Sequence, residues 1–499
     1  MARKHRKPRA ARDKITSAPA DESVLESYLD KKAAEEYYAY SVAVIEDRAI
    51  YGEIDGLKPV TRRALWATHE LGLHSRAAHD KSAKIVGAAM GNYHPHGDSA
   101  LYGAVVTAAN SPMALIDGKG NWGTMTDPAA AMRYTNARLS RYADACFFDK
   151  FYLPVMDTVD NYDGSRKEPL ILPTLLPNAL LNGNFGIAPG VQTSTPTITL
   201  ESLVPVLIQT LKAKGHCEPG WCRDLELVTS YGGKMRHSKE SKREMRNFIN
   251  TGRGRFLFDS LYDETGSHEI RFSHFAPFSN IEAVLGKVES IKGVTGTRDD
   301  SDKKDKYKVA YVVTFSKSLN GPPLAHTTSK VVDAFSAYAN YRIQVTERFL
   351  DKERPDGGKR LKPSTVPKLI ESWVKYRILL EKKACRYWVG KRKEQIAYQR
   401  LLLLAVANRK LIIQALDKKM NDAQLAEYLA KLMKITVEQA NVILDLKIRQ
   451  LKKLESETIN AKIRELKQEA KGFIRRFNKP AQYIAKNVEE LALELSKTT

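Results

Sequence analysis

The 499-residue sequence predicts a multidomain α+β chain, and three changes of texture along it carry that reading. Residues 23–150 follow a helical pattern. Residues 151–350 bring clustered prolines and short β-like runs. Residues 364–475 hold apolar residues spaced four and three apart, the signature of long packed helices. At roughly 150 residues per domain, the length agrees with about three units. Apolar residues at 43% and charged residues at 28% fit a folded chain able to bury several cores. The longest apolar run, Leu401 to Ala407, is far short of the roughly 20 residues that span a bilayer. The four cysteines are too few for a disulfide scaffold and fit a reducing compartment. The N-terminus is basic without an apolar stretch, so it does not read as a secretory signal. An integral membrane protein, a secreted disulfide protein and a wholly disordered chain are excluded.

Taken in order, residues 1–22 read as a basic disordered arm: the first twenty hold seven Lys and Arg against one acid. A solubilising tail without a partner fits them too. Residues 23–160 form the first folded unit. Pro59 opens a helix carrying Leu65 and Thr68. A glycine-containing break at 72–80 leads to a second helix, Lys81–Met90, and a third runs from about Ser99 to Asn110. Helix, turn and helix with small residues at Ala83, Gly87, Ala88 and Ala89 suit a winged-helix module, as they suit many helical domains. In residues 161–350, strands are expected at Arg255–Phe258, Glu269–Phe275 and Val309–Phe315, with residues 298–308 as a charged loop. Residues 351–499 predict an antiparallel helical arm. A first helix of about 50 residues would run about 75 Å. A short helix, Asp422–Met433, would be capped by Asn421. A second long helix would start at the capping box Thr436-x-x-Gln439.

The net charge of +22 points to a polyanionic partner, with nucleic acid first and an anionic membrane second. The surplus is uneven. Residues 351–499 carry 34 Lys and Arg against 18 acids, while residues 21–350 carry 39 of each. An anion site in the middle of the chain must therefore arise by local segregation.

Five segments could carry chemistry. Arg48 is followed by DGLKPVTRR (55–63), where a Gly turn and Pro59 open a helix bearing Lys58, Arg62 and Arg63. Helix N-termini and guanidinium forks both favour phosphate oxygens, although a solvated helix face reads the same way. In YHPHGDS (93–99), His94 and His96 flank a proline without a third ligand nearby, so hydrogen bonding near a phosphate fits better than a metal. DGKGNWG (117–123) is glycine-rich but lacks the spacing of a phosphate-binding ATP loop; close approach of a nucleic-acid strand would explain its glycines. In AAAMRYT (129–135), Tyr134 beside Arg133 has the make-up of a nucleophile with a charge-stabilising neighbour, yet most of the 22 tyrosines must be structural. In NGNFGIAPG (182–190), glycines flank Ile187, which reads either as a wedge between bases or as a buried loop residue. Cys217 and Cys222 have no second ligand pair close by, which disfavours zinc.

In this order the segments resemble the DNA breakage-reunion subunit of type IIA topoisomerases, the gyrase A and topoisomerase IV A family. DGLKPVTRR, YHPHGDSALY, DGKGNWG, AAAMRYTNARL, DNYDG, NGNFGIAPG, TGRGR (251–255) and ITVEQANVILDLKIRQLKKLE (435–455) carry the likeness, from about residue 25 to about 475. The resemblance implies a winged-helix cleavage domain, an α/β tower domain, and a coiled-coil arm ending in an exit-gate dimerisation domain. It implies that Tyr134 forms a 5′-phosphotyrosyl link, with Arg133 at the transition state and Arg48 and His96 beside the reacting phosphate. It implies that Lys58, Arg62, Arg63, His94 and Ser99 hold the strand and that Ile187 bends the DNA. It implies a homodimer that joins an ATPase/Toprim partner in a heterotetramer. The partner would hold Mg²⁺ and ATP, leaving no metal site in this chain, and the assembly would work on double-stranded DNA in the cytoplasm, away from membranes. Departures from the family pattern are Thr61 in place of a histidine, Gly103 in place of an acidic residue, and a segment Tyr102–Leu115 shorter than in bacterial gyrase. The sequence also stops after the arm, without the DNA-wrapping β-pinwheel, as in the short subunits of large-phage enzymes; relaxation or decatenation is then expected rather than negative supercoiling. A non-enzymatic architectural DNA-binding protein is the alternative that composition supports equally. The ordered set Arg48, His96, Arg133 and Tyr134 argues against it, because a binder needs no tyrosine beside an arginine.

Overall fold

The computed structural model describes residues 29–277, 280–302, 309–348, 359–418, 420–445 and 456–497. The basic arm and the middle of the charged loop, residues 303–308, lie outside them. The described chain is a mixed α+β assembly containing one helix of 42 residues.

Helix α1 (Leu29–Val44) runs into a π-helical turn, Ile45–Ala49. Helices α2 (Pro59–Glu70), α3 (Ser82–Asn92) and α4 (Asp98–Ala109) follow. They accompany a three-stranded antiparallel sheet in the order β1-β3-β2, where β1 is Asp80–Lys81, β2 Ile116–Lys119 and β3 Asn136–Leu139. Pro59 occupies the first turn of α2, where its missing N–H costs nothing. Leu65, Ile85, Leu101, Val105, Ala137 and Leu139 are buried in the common core of these elements.

A buried ion pair fixes the entry to α2. Arg62 Nε and Nη2 donate to Asp55 Oδ2 and Oδ1 at 2.6 and 2.9 Å. Asp55 Oδ1 and Oδ2 also accept the backbone N–H groups of Leu57 and Leu172, each at 3.2 Å. Asp55 is 0% and Arg62 4% exposed. Between them Gly56 adopts φ 65°, and any Cβ there would collide with the Ala179 backbone. The turn at 52–57 is thereby clamped to the segment 172–179.

A ribbon of β4 (Thr158–Asp160) and β5 (Lys167–Pro169) precedes the larger sheets. The main sheet has seven strands in the order β6-β7-β16-β11-β10-β9-β8. They are β6 (Asn184–Ala188), β7 (Val191–Thr195), β8 (Thr197–Ile198), β9 (Leu227–Val228), β10 (Lys234–Met235), β11 (Arg253–Asp259) and β16 (Ser336–Arg342). A second sheet, β12 (Leu261–Gly266), β13 (Glu269–His274), β15 (Tyr311–Phe315) and β14 (Val294–Asp299), closes a separate core around Phe272, Val313 and Phe335. The three predicted strands fall in β11, β13 and β15. Arg298 and Asp299, expected in a loop, instead end β14.

The helical arm departs from expectation in length. The first helix, Val366–Ala407, has 42 residues and so runs about 63 Å. It ends because Asn408 caps it, with both its backbone N–H and its Nδ2 on Leu404 O. The buried face runs on across the break, with Leu401, Ala405, Ile412 and Ala415 in one core, while Leu411 is 40% exposed. The helix Asp422–Met433 and its Asn421 capping box lie where predicted. The capping box at Thr436 is present, but its helix ends at Leu444, and the return helix is Ser456–Asn478, with Ile459, Ile463 and Leu466 buried. At the arm's root, Tyr152 Oη donates to Glu381 at 2.7 Å, Arg377 donates to Tyr152 at 3.1 Å, and Arg476 grips Glu381. The last described helix, Pro480–Ser496, returns to the main core through Ile484 and Val488.

Removing one member of a buried pair leaves the other charge uncompensated. Asp55→Ala is expected to cost about 3–5 kcal/mol of stability, read from urea unfolding of the full chain. A loss under about 1 kcal/mol would show that Arg62 finds another partner.

Candidate functional site

Tyr134 stands on a turn just before β3, the central strand of the small sheet. The turn is rigid for local reasons. Tyr134 N–H donates to Ala131 O at 2.8 Å, and the next residue, Thr135, is fully buried. Thr135 Oγ1 bonds Ser82 Oγ at 2.8 Å and Tyr102 Oη at 2.9 Å, and its carbonyl accepts from Ser82 N at 3.0 Å. This anchoring turns the Tyr134 ring outward, 64% exposed, and among the described residues its hydroxyl has no hydrogen-bond partner. The Arg133 guanidinium carbon lies 4.7 Å from the ring centroid. The neighbouring glycine-rich loop explains itself internally. A Cβ at Gly118 would strike the Trp122 indole, and Gly123, with φ 79°, closes on the Asp127 and Ala129 backbone.

A second group gathers around His94. Arg63 Nε and Nη2 fork onto Glu168 at 2.6 and 2.8 Å, and Arg63 Nη1 donates to His94 Nδ1 at 3.1 Å. That bond leaves the neutral imidazole its proton on Nε2. Burial, and then the charge of Arg63 and the proximity of His96, push the His94 pKa down to about 4. His94 is therefore an uncharged donor at neutral pH. The exposed His96 ring stands edge-on to it, 4.6 Å between centroids. The DNYDG segment braces this turn. Asn161 Nδ2 donates to Asn92 O at 2.7 Å and Tyr162 Oη to Gly91 O at 2.8 Å. Ser99, exposed, lies in the first turn of α4, its N–H bonded to Asp98 at 2.8 Å.

The third group lines an open groove of about 550 Å³ between the π-turn and β6, bordered by Tyr40, Arg48, Lys58 and Ile187. Gly186 makes the groove possible. Its Cα faces Ala49 O so closely that no side chain fits. Lys58 Nζ donates to Phe185 O at 2.6 Å, and burial lowers its pKa. Ile187 is 65% exposed rather than buried.

Nine of the ten predicted residues thus fall into these three groups: Arg133 with Tyr134; Arg63, His94, His96 and Ser99; Arg48, Lys58 and Ile187. No hydrogen bond or ring contact among the described residues joins one group to another. Arg62 stands apart: the sequence puts it with the strand-holding cations, and its guanidinium is buried on Asp55. Sequence reasoning missed Glu168, which aims Arg63, and Phe185, 56% exposed beside Ile187. The period-two alternation Phe185-Gly186-Ile187 was the available signal for the latter.

His94 and His69 both titrate near 4 when folded, against about 6.5 unfolded, burial being the main cause in each. Between those values the unfolded chain binds more protons than the folded one. The histidine contribution to stability is therefore complete above about pH 6.5 and declines as pH falls toward 4. Thermal melts from pH 7.5 to 4.5 should fall steadily across that window, and the His94 ring resonances should titrate near 4. A His94 midpoint near 6.5 contradicts the buried, Arg63-bonded geometry.

The family model for the A subunits of DNA gyrase and topoisomerase IV matches residues 48–492, a span containing all ten residues. The A subunit of DNA topoisomerase 4 from Pseudomonas aeruginosa is 31% identical over 455 residues, covering 87% of this chain and 57% of that protein. The DNA gyrase A subunit of Thermotoga maritima is 30% identical over 459 residues, covering 89% and 54%. The DNA gyrase A subunit of Helicobacter pylori is 38% identical over 295 residues, covering 56% and 35%. The chain spans about half the length of the relatives it matches along most of its own length. A family match running from Arg48 to residue 492, together with likeness over almost nine-tenths of the chain, makes this protein a member of the family of DNA gyrase and topoisomerase IV A subunits.

Proposed function

We propose that this chain is the DNA breakage-reunion subunit of an ATP-dependent type II DNA topoisomerase. In this reading residues 23–160 are a winged-helix cleavage domain, 161–350 a tower domain, and 351–499 an arm and exit gate through which two copies pair. The observation that carries it is Tyr134, held outward on a rigid turn with an unengaged hydroxyl and the Arg133 cation against its ring.

The chemistry is a transesterification. Tyr134 Oη attacks a backbone phosphorus; the P–Oη bond forms as the P–O3′ bond breaks. The phenolic proton leaves to solvent or a base, and the departing O3′ takes one up. The strand is then held by its 5′ phosphate as a tyrosyl ester, and attack by the 3′ hydroxyl reverses the step. The ester keeps the bond energy, so resealing needs no further cofactor. Arg133 supplies positive charge as negative charge spreads over the phosphorane-like oxygens. Arg48 and His96 flank the same phosphate. Lys58, Arg63, Ser99 and the neutral His94 hold the strand, and Ile187 wedges into it. Arg62 acts indirectly, by fixing the helix that presents Lys58 and Arg63.

Among the described residues, no three His, Cys, Asp or Glu side chains converge as metal ligands would. The donor set does not fit a resident metal, and no step is routed through one. Mg²⁺ and ATP are assigned to a Toprim and ATPase partner of gyrase B type. No described helix is long and apolar enough to cross a membrane, and the proposed setting is DNA in the cytoplasm. The reading extends to relaxation and decatenation rather than negative supercoiling. The surplus of 34 cations over 18 acids in residues 351–499 sits largely on rod-like helices, which retain a duplex without coiling it in one hand.

With a partner, Mg²⁺ and plasmid, Tyr134→Phe should bind DNA normally and yield no detergent-trapped adduct. Arg133→Ala should slow cleavage about 10²–10³-fold while affinity falls far less. Adduct from Tyr134→Phe sinks the assignment; parallel loss of binding and cleavage in Arg133→Ala makes that residue a phosphate anchor only.

A further inference from the structure

The edge strand β6 carries a second exposed apolar residue. Phe185 and Ile187 are 56% and 65% exposed on one face, while Gly186 and Ala188 are buried on the other. Cross-strand register extends that face. Phe185 lies opposite Ser194, Ser194 opposite Arg342, and Arg342 opposite Arg253. Directly opposed residues share a face, so these four form one row across four strands, about 14 Å at roughly 4.8 Å per strand. Arg342 and Arg253 are exposed. On the other side of the apolar pair, Lys58 is bonded to the Phe185 carbonyl and Arg48 borders the same groove.

We propose that Phe185 is a second DNA-contacting wedge that acts with Ile187. Cationic side chains border the apolar pair on both sides, which is the complement of a duplex: bases at the centre and phosphates on the flanks. Along a strand, residues two apart are separated by about 6.7 Å. That is close to two base rises of about 3.4 Å each. When Ile187 enters one base step, the Phe185 ring therefore meets the groove two steps away and stacks there. The Arg342–Arg253 row lies where the flanking phosphates of the same duplex would run. This inference rests on the DNA reading above but names a residue that the reading does not need.

The test uses the full chain with its partner and duplexes carrying 2-aminopurine at successive positions around a mapped cleavage site. Wild type should give two fluorescence maxima in each half-site, two base steps apart. Phe185→Ala should abolish one maximum and weaken binding about fivefold or more, Ile187→Ala should abolish the other, and Phe185→Trp should keep both. Because the ring is exposed, melting temperatures of the Phe185 variants should match wild type. Unchanged maxima and affinity in Phe185→Ala overturn the proposal while leaving the DNA reading intact. Loss of dimer or partner assembly in that variant, with both maxima kept, assigns the ring to a protein contact and overturns it as well. Absence of any binding by wild type fails the DNA reading itself.

Discussion

One carboxylate and one guanidinium, sealed together at the entrance to α2, decide what the residues around them can do. Asp55 is fully buried, and a lone charge there would be intolerable; Arg62 meets it with two parallel bonds, and backbone N–H groups of Leu57 and Leu172 occupy the remaining acceptor sites. Satisfying that carboxylate fixes the rotation of α2 about its axis. Lys58, one residue before the helix, is then delivered to the β6 carbonyl edge, and Arg63 is delivered to Glu168 and His94. Two adjacent arginines thus have different duties, one holding the scaffold and the other reaching Glu168 and His94. Gly56 and Gly186 belong to the same constraint, since each lets a backbone approach that a methyl group would block.

Much of this was legible in the sequence where a local rule suffices. Pro59 starts α2, Asn421 and Thr436 cap their helices, β11 and β13 follow their apolar alternation and β15 its short apolar run, because each depends on neighbours a few residues away. The grouping of Arg133 with Tyr134 is likewise local. What was not legible depends on partners distant in sequence. Nothing in the run Arg62-Arg63 says which cation is buried; Arg62 pairs with Asp55, which the distant Leu172 also seals, and Arg63 with Glu168, more than a hundred residues on. The His94 pKa falls to about 4 because the fold buries the ring beside Arg63 and His96. The first arm helix stops at Ala407, short of the expected length, where the Asn408 side-chain amide takes the Leu404 carbonyl, an effect that heptad counting does not see.

The root of the arm is tied to the first folded unit through the Tyr152 hydroxyl as well as by apolar packing. Glu381, inside the long helix, accepts from Tyr152 and Arg476, and Arg377 joins through the same tyrosine hydroxyl. Separating the arm from the core would break the Tyr152 hydrogen bonds to Glu381, Arg377 and Arg476, while the Glu381–Arg476 pair lies within the arm itself. Hinge motion is better accommodated beyond residue 400, where the separate small core around Ala405, Ala415 and Leu429 begins. The second sheet behaves differently again: it has its own core, and its strand β12 follows β11 of the main sheet after the single residue Ser260.

The central claim is that one oxygen, Tyr134 Oη, becomes covalently joined to a 5′ DNA end. Cleavage complexes trapped with detergent, digested with nuclease and trypsin, and analysed by mass spectrometry test it directly. The account predicts nucleotide mass on the tryptic peptide Tyr134–Arg138, localised to the tyrosine, with free 3′ hydroxyls on the DNA. Nucleotide on any other residue, or a protein-linked 3′ end, would contradict it.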